Sequence, residues 1–169
     1  MERLRSLEII RNKILDQGKL ETQLTQWRFL SQKIVFTNGC FDIIHLGHID
    51  YLSKASDEGD VLIVGLNSDK SATSLKGPNR PINNQEQRAM ILASFQFVNA
   101  VIIFDELTPY SLICEVQPDV LIKGGDYKSE EIVGYDIVIA KNGIVKTIDF
   151  LPGYSTTLIE EKIRSFPKS

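Results

Sequence analysis

The sequence predicts an α/β fold, a doubly wound parallel sheet with helices on both faces, preceded by a helical extension. Four short runs rich in Val and Ile, at residues 34–36, 61–66, 98–104 and 120–122, are bounded by Gly, Asn, Asp or Pro and read as buried strands. Helical periodicities fall between them, at about residues 48–58, 84–95 and 109–116. Strand–helix–strand alternation then calls for parallel pairing through right-handed crossovers. With 169 residues, 43% of them hydrophobic, the chain is long enough and apolar enough for one such domain with a real core.

The elements follow in order. Residues 1–32 lack β-branched clusters, whereas Leu4, Leu7, Ile10 and Ile14 recur at helical spacing. Gly18 reads as a helix stop, and Leu20, Leu24 and Trp27 suggest a second helix. This predicts a helical hairpin over residues 1–32, either packed on the main domain or serving as a dimerisation or partner surface. The main domain is expected over residues 33–169. Within it, residues 136–140 are ambiguous: their Ile-Val-Ile run suits a strand, but Gly143 could end a short helix. Residues 144–150 read as a further strand and 155–164 as a closing helix. No internal repeat or low-complexity linker is present.

Composition narrows the function classes. The net charge of −3, from 19 basic and 22 acidic residues, disfavours a general nucleic-acid binder. Two cysteines, Cys40 and Cys114, exclude a disulfide scaffold. No apolar run approaches the roughly 20 residues of a membrane span, and the charged first residues lack the apolar core of a signal peptide. The expectation is a soluble cytoplasmic protein with small-molecule partners, binding neither nucleic acid nor membrane, with a homodimer as an expected assembly.

In a doubly wound sheet the ligand binds beyond the carboxyl ends of the strands. The loop after the first strand reads Thr37-Asn38-Gly39-Cys40-Phe41-Asp42-Ile43-Ile44-His45-Leu46-Gly47-His48. It contains neither a G-x-G-x-x-G fingerprint nor a Walker loop. Instead it delivers two imidazoles, the only histidines of the chain, to a helix start, where free N–H groups attract phosphate. Gly47 removes the side chain between them, which opens the backbone to a phosphate. Other readings of these residues are a zinc site of His45, His48 and Cys40, helix-start histidines without a role, and Cys40 as a nucleophile. A structural zinc site needs four ligands, and no further histidine is present to serve Cys40 as a base.

Later loops add cations and small residues. Asn67, Lys76, Arg80 and Arg88 lie in or after the long loop following the second strand, and Gly77-Pro78 between the first cations is a rigid turn. Arg88 is expected one turn into the next helix, on the opposite side from Ala89, Leu92 and Ala93. Lys123-Gly124-Gly125-Asp126 follows the fourth strand, where two glycines allow close approach of a ligand. Tyr154-Ser155-Thr156-Thr157 opens the last helix, and Thr157 with Glu160 fits a capping box.

The H-x-G-H arrangement after a first strand resembles the signature of the nucleotidylyltransferase superfamily. Four stretches extend the likeness to the D-glycero-D-manno-heptose 1-phosphate adenylyltransferase family: TNGCFDIIHLGH at 37–48, LKGPNRPIN at 75–83 with Arg88, IKGGDY at 122–127 and GYSTTLIEEKI at 153–163. This family occurs in bacteria as a separate enzyme or fused behind a kinase. Residues 1–32 lie outside the likeness. Leu46 departs from the pattern, where a small apolar residue or Pro is common; its apolar character suggests tolerance.

The resemblance implies a Rossmann-like nucleotidylyltransferase fold and transfer of AMP from ATP to D-glycero-β-D-manno-heptose 1-phosphate, giving ADP-heptose and pyrophosphate. His45, His48, Lys76, Arg88 and Lys123 are then the expected catalytic residues. Thr37, Asn38, Gly39, Cys40, Phe41, Gly47, Gly124, Gly125, Asp126, Tyr154, Ser155, Thr156 and Thr157 would bind the nucleotide. Asp42, Asn67 and Arg80 would bind the acceptor. Magnesium is expected beside the triphosphate, with Asp42 and Asp126 as candidate ligands and no assignment between them. Competing readings are a cytidylyltransferase for glycerol 3-phosphate or another small phosphate, a coenzyme or flavin adenylyltransferase, and a non-catalytic nucleotide-binding regulator.

Overall fold

Val- and Ile-rich segments, buried in the central strands and more exposed at the edges, assemble into one six-stranded, all-parallel sheet of order β1-β4-β3-β2-β5-β6. The computed structural model describes residues 5–166. Its strands are β1 (Ile14–Leu15), β2 (Ile34–Gly39), β3 (Val61–Asn67), β4 (Ala100–Phe104), β5 (Val120–Gly124) and β6 (Ile144–Ile148). Its helices are α1 (Ser6–Arg11), α2 (Gln17–Phe29), α3 (Leu46–Ser56), α4 (Asp69–Lys76), α5 (Gln85–Ser94), α6 (Tyr110–Val116), α7 (Tyr135–Ala140) and α8 (Thr156–Arg164). All seven residues of β3 are buried, which explains why it reads as a continuous apolar run rather than an alternation.

Alternate residues of the strands serve two cores. Ile34, Phe36, Ile63 and Leu121 pack on one face with Leu20 and Leu24 of α2 and Ile113 of α6. Val35, Leu62, Val64 and Ile122 pack on the other with Leu52 of α3 and Ala89 and Leu92 of α5. The helices begin where a short polar side chain caps them: Asp16 accepts from Lys19 N–H, Ser68 from Ser71 N–H and Asn84 from Gln87 N–H.

The strand order fixes the functional end of the sheet. From β2 the chain moves outward through β3 to β4, then returns to place β5 on the other side of β2. The crevice beyond the C-terminal ends of β2 and β5 is therefore the switch point at which such sheets bind ligands.

Three local expectations are corrected. Ile14 is not helical: it pairs with Val101 as part of edge strand β1, so the segment contributes to the sheet instead of forming a helical hairpin. Gly18 does not stop a helix. It lies in the first turn of α2, which starts there because Asp16 caps it. Residues 69–76 form helix α4 where a loop is expected, putting Lys76 at a helix end. The ambiguous segment 136–140 is helical, within α7, and Leu4 lies outside the described residues.

Candidate active site at the switch point

The loop after β2 turns sharply into α3. His45 is the N-cap residue, in extended conformation, and no side chain caps the first-turn N–H groups. The imidazoles of His45 and His48, three residues apart on the same side, stack with centroids 3.8 Å apart and planes 26° from parallel. Phe41, held at a left-handed φ of 44°, sets its ring edge-on to His48 at 5.4 Å. The Nδ1 atoms of both histidines are buried with no hydrogen-bond partner, an arrangement that folded proteins otherwise avoid.

Burial drives the His48 pKa down to about 4, assisted by the neighbouring His45 and by the charge of Lys76. Burial lowers that of His45 as well. The pair is therefore neutral at neutral pH, and each ring offers one N–H donor rather than a second positive charge. Gly47 also makes room for its neighbours, since a Cβ there would stand 3.0 Å from His45 Nδ1 and 3.3 Å from the Cβ of Tyr154.

A cavity of about 380 Å³ opens at the ends of β2, β3 and β5, and neither histidine lines it. Asn38, Gly39 and Cys40 from the end of β2, Asn67 from the end of β3 and Lys123 from β5 form its polar part. Leu75, Leu107, Tyr127 and Ile132 form an apolar wall. Lys123 donates to Asn38 Oδ1 at 3.3 Å, and burial lowers its pKa. A Cβ on Gly124 would come 2.5 Å from the exposed Phe150 ring, which would have to shift, and Gly125 takes a left-handed φ of 108° that favours glycine. Tyr154, Thr157 and Asp126 are exposed, Thr156 is half-buried, and half-buried Ser155 caps α8 by accepting from Leu158 N–H at 3.1 Å.

Several expected ligand-binding side chains are instead committed to the fold. Thr37 is fully buried and shares a 2.6 Å hydrogen bond with Tyr51, whose hydroxyl pKa burial pushes up to about 12. Asp42 accepts from Arg80 at 2.8 Å and from the N–H groups of Ile82 and Asn83 at 2.7 and 3.1 Å. Although burial alone would raise its pKa, these donors hold it below the usual carboxylate range. Asp42 is thereby committed to the fold, whereas Arg80 gives two of its five N–H groups to Asp42 and Glu160. Arg88, expected on the outward side of α5, is completely buried. It donates to the carbonyls of Cys40, Asn67 and Asn83 at 2.6, 2.8 and 2.9 Å and to Asp69 at 2.8 Å. That leaves one of its five N–H groups uncommitted. The capping box also differs: Ser155, not Thr157, caps α8, and Glu160 pairs with Arg80.

The metal readings can be tested on the same donors. Among the described residues, no three His, Cys, Asp or Glu side chains gather. With Asp42 saturated and Asp126 outside any such group, the carboxylates do not fit a magnesium ion held by the protein. Cys40 is a poor nucleophile, because burial pushes its thiol pKa up.

The sequence reading missed the apolar wall and the role of Phe41. Leu75 and Leu107 are large apolar residues next to strand-end loops, a signal that could have marked them.

With this geometry in view, the comparisons become specific. The model of the cytidylyltransferase-like family matches residues 36–162, most of the chain and all of the site. This chain belongs to the cytidylyltransferase-like family. Membership makes it an enzyme of the nucleotidyltransferase class. Among curated relatives, bifunctional protein HldE of Wolinella succinogenes is 53% identical over 152 residues, which cover 90% of this chain and 31% of that protein. Bifunctional protein HldE of Nitratiruptor is 60% identical over 134 residues, 79% of this chain and 28% of that protein. The cytidylyltransferase-like chain thus spans about a third of the length of the relatives it matches.

Two solved structures share its architecture. The lipopolysaccharide core biosynthesis protein from Thermoplasma volcanium superposes with a TM-score of 0.59 at 28% identity, covering 71% of this chain and 97% of that one. Pantoate–β-alanine ligase from Francisella tularensis superposes at 0.58 with 19% identity, covering 89% and 76%, a likeness of fold. The all-parallel α/β architecture read from the sequence is borne out. Among the described residues, no helix is long and apolar enough to cross a membrane.

Proposed function

We propose that the chain is an adenylyltransferase that joins ATP to D-glycero-β-D-manno-heptose 1-phosphate, giving ADP-heptose and pyrophosphate. The single observation that carries nucleotidyl transfer is the histidine pair: two neutral, stacked imidazoles with unpartnered nitrogens at an uncapped helix N-terminus. The heptose acceptor is supported by the four matching sequence stretches, by relatives named HldE and by the likeness to a lipopolysaccharide core biosynthesis protein.

In this reading a phosphate oxygen of the sugar 1-phosphate attacks the α-phosphorus of ATP. The bond from that phosphorus to the bridging oxygen breaks, and pyrophosphate leaves with the electron pair. The attacking oxygen is already anionic at neutral pH, so no general base is needed. The enzyme has to align the reactants and stabilise charge on the α-phosphate and the leaving group. His45, His48 and the first turn of α3 donate hydrogen bonds to phosphate oxygens, and Lys76 at the end of α4 adds positive charge. Lys123 holds the acceptor phosphate at the mouth of the cavity, where Asn38 and Asn67 meet sugar hydroxyls. Magnesium would travel with the triphosphate and neutralise part of its charge.

A pyrophosphate-release assay crossing ATP and CTP with heptose 1-phosphate, other sugar 1-phosphates, glycerol 3-phosphate, pantetheine phosphate and flavin mononucleotide tests the reading. Turnover is expected with ATP and the heptose. Turnover confined to CTP and glycerol 3-phosphate would replace it with the cytidylyltransferase reading, and nucleotide binding without turnover on any acceptor would favour a regulator.

A further inference from the structure

Helix α8 has no buried residue, and its apolar Leu158 and Ile163 are exposed. Nine residues with so little packing form a weak helix on their own. A line of charges ties α8 to the domain. Arg80, with 18% of its side chain accessible, donates to Asp42 Oδ2 at 2.8 Å and pairs with Glu160 in the second turn of α8. Both ends of Arg80 are anchored. Its carbonyl accepts from the Thr73 hydroxyl at 2.5 Å, and the Asp42 that it grips is fixed by two backbone N–H groups. The other cation near Glu160, Arg164, lies 3.9 Å away with 82% of its side chain accessible and adds little.

This line closes a ring. Asp42 precedes His45 by three residues on the loop after β2. Tyr154, just before α8, packs where a Cβ on Gly47 would stand. The histidine loop therefore touches the α8 segment twice, once through the ion pairs and once through Tyr154. We propose that Arg80 and Glu160 are positioning residues for the nucleotide, strapping α8 and the Tyr154-Ser155 segment against the histidine pair. Neither residue touches the reacting atoms. The inference rests on the reading that ATP binds at the histidines. Two carboxylates sharing one guanidinium make the strap directional, a geometry that the ammonium of a lysine cannot reproduce across both partners.

The test compares wild type, Glu160→Gln and Arg80→Lys by amide hydrogen exchange over residues 156–164 and by calorimetric titration with ATP. In Glu160→Gln, exchange over that segment accelerates and the Kd for ATP rises roughly 5–20-fold, within the range of typical coupling between sites. The KM for ATP rises by a larger factor than kcat falls, and Arg80→Lys gives intermediate values. Wild-type exchange in Glu160→Gln overturns the strap. Faster exchange with unchanged ATP affinity overturns its role in nucleotide binding. If wild-type protein binds no ATP, the proposed function and the positioning role both fail, and the exchange rates still decide whether the strap exists.

Discussion

Two imidazoles stacked 3.8 Å apart and partly buried resist protonation, chiefly because burial disfavours the charged ring. This has consequences that can be measured on His48 alone. Followed by NMR, His48 should remain neutral until the pH falls to about 4, and kcat/KM should show no ionisation of this ring between about pH 5 and 8. The sign for stability follows. In the unfolded chain His48 takes up its proton near 6.5, and in the native state only near 4, so the unfolded state binds more protons between these values. Native stability is fully present above pH 6.5 and declines as the pH falls toward 4, by roughly 2 kcal/mol after discounting for solvent access. A His48 midpoint near 6.5 in the folded protein would contradict this electrostatic account. The histidine pair was legible in the sequence because its geometry is local, two residues on adjacent positions of one helical turn. Asp42, Arg80 and Arg88 were not. Apart from Asn83, close to Arg88, their partners lie 19 to 80 residues away, and a charged side chain looks the same in sequence whether it faces solvent or saturates a buried network.

At the scale of elements, Arg88 acts as a rivet. From α5 it binds the carbonyl of Cys40 after β2, that of Asn67 at the end of β3, and Asp69 at the start of α4. The ends of these elements form the cavity floor, so the rivet shapes the site without facing it. Arg88→Ala would orphan those carbonyls and leave a void, and is expected to lower unfolding free energy by about 3–5 kcal/mol. A urea titration should show the midpoint falling at constant slope. A wild-type midpoint with only turnover lost would instead make Arg88 a phosphate ligand. Element legibility followed burial. Strands β2 to β5 were readable because their burial gives apolar runs, whereas edge strand β6 is largely exposed and read from its Ile and Val alone. Helix α4, Asp-Lys-Ser-Ala-Thr-Ser-Leu-Lys, buries only Ser71 and Ala72 and so shows almost no apolar period. Strand β1 has two residues, too few for a pattern, and is specified by its pairing with β4.

For the whole molecule, the order β1-β4-β3-β2-β5-β6 brings residues 38–40 and Lys123, distant in sequence, to one crevice. Strand–helix alternation was enough to predict which end of the sheet carries chemistry, because ligand binding at strand carboxyl ends follows from topology. The cavity itself was less legible. Its wall combines Leu75 of α4 with Leu107, Tyr127 and Ile132 from separate connections, and only the folded arrangement shows that they meet. In the proposed reaction the histidine pair stabilises a phosphoryl transition state, and the fold does not depend on His48. Steady-state pyrophosphate release from ATP and heptose 1-phosphate by His48→Ala, with its melting temperature recorded alongside, separates these two roles. A loss in kcat of about 10²–10³-fold is expected, the usual consequence of removing one such donor, with the melting temperature essentially retained. Near-normal turnover in the folded variant would contradict it.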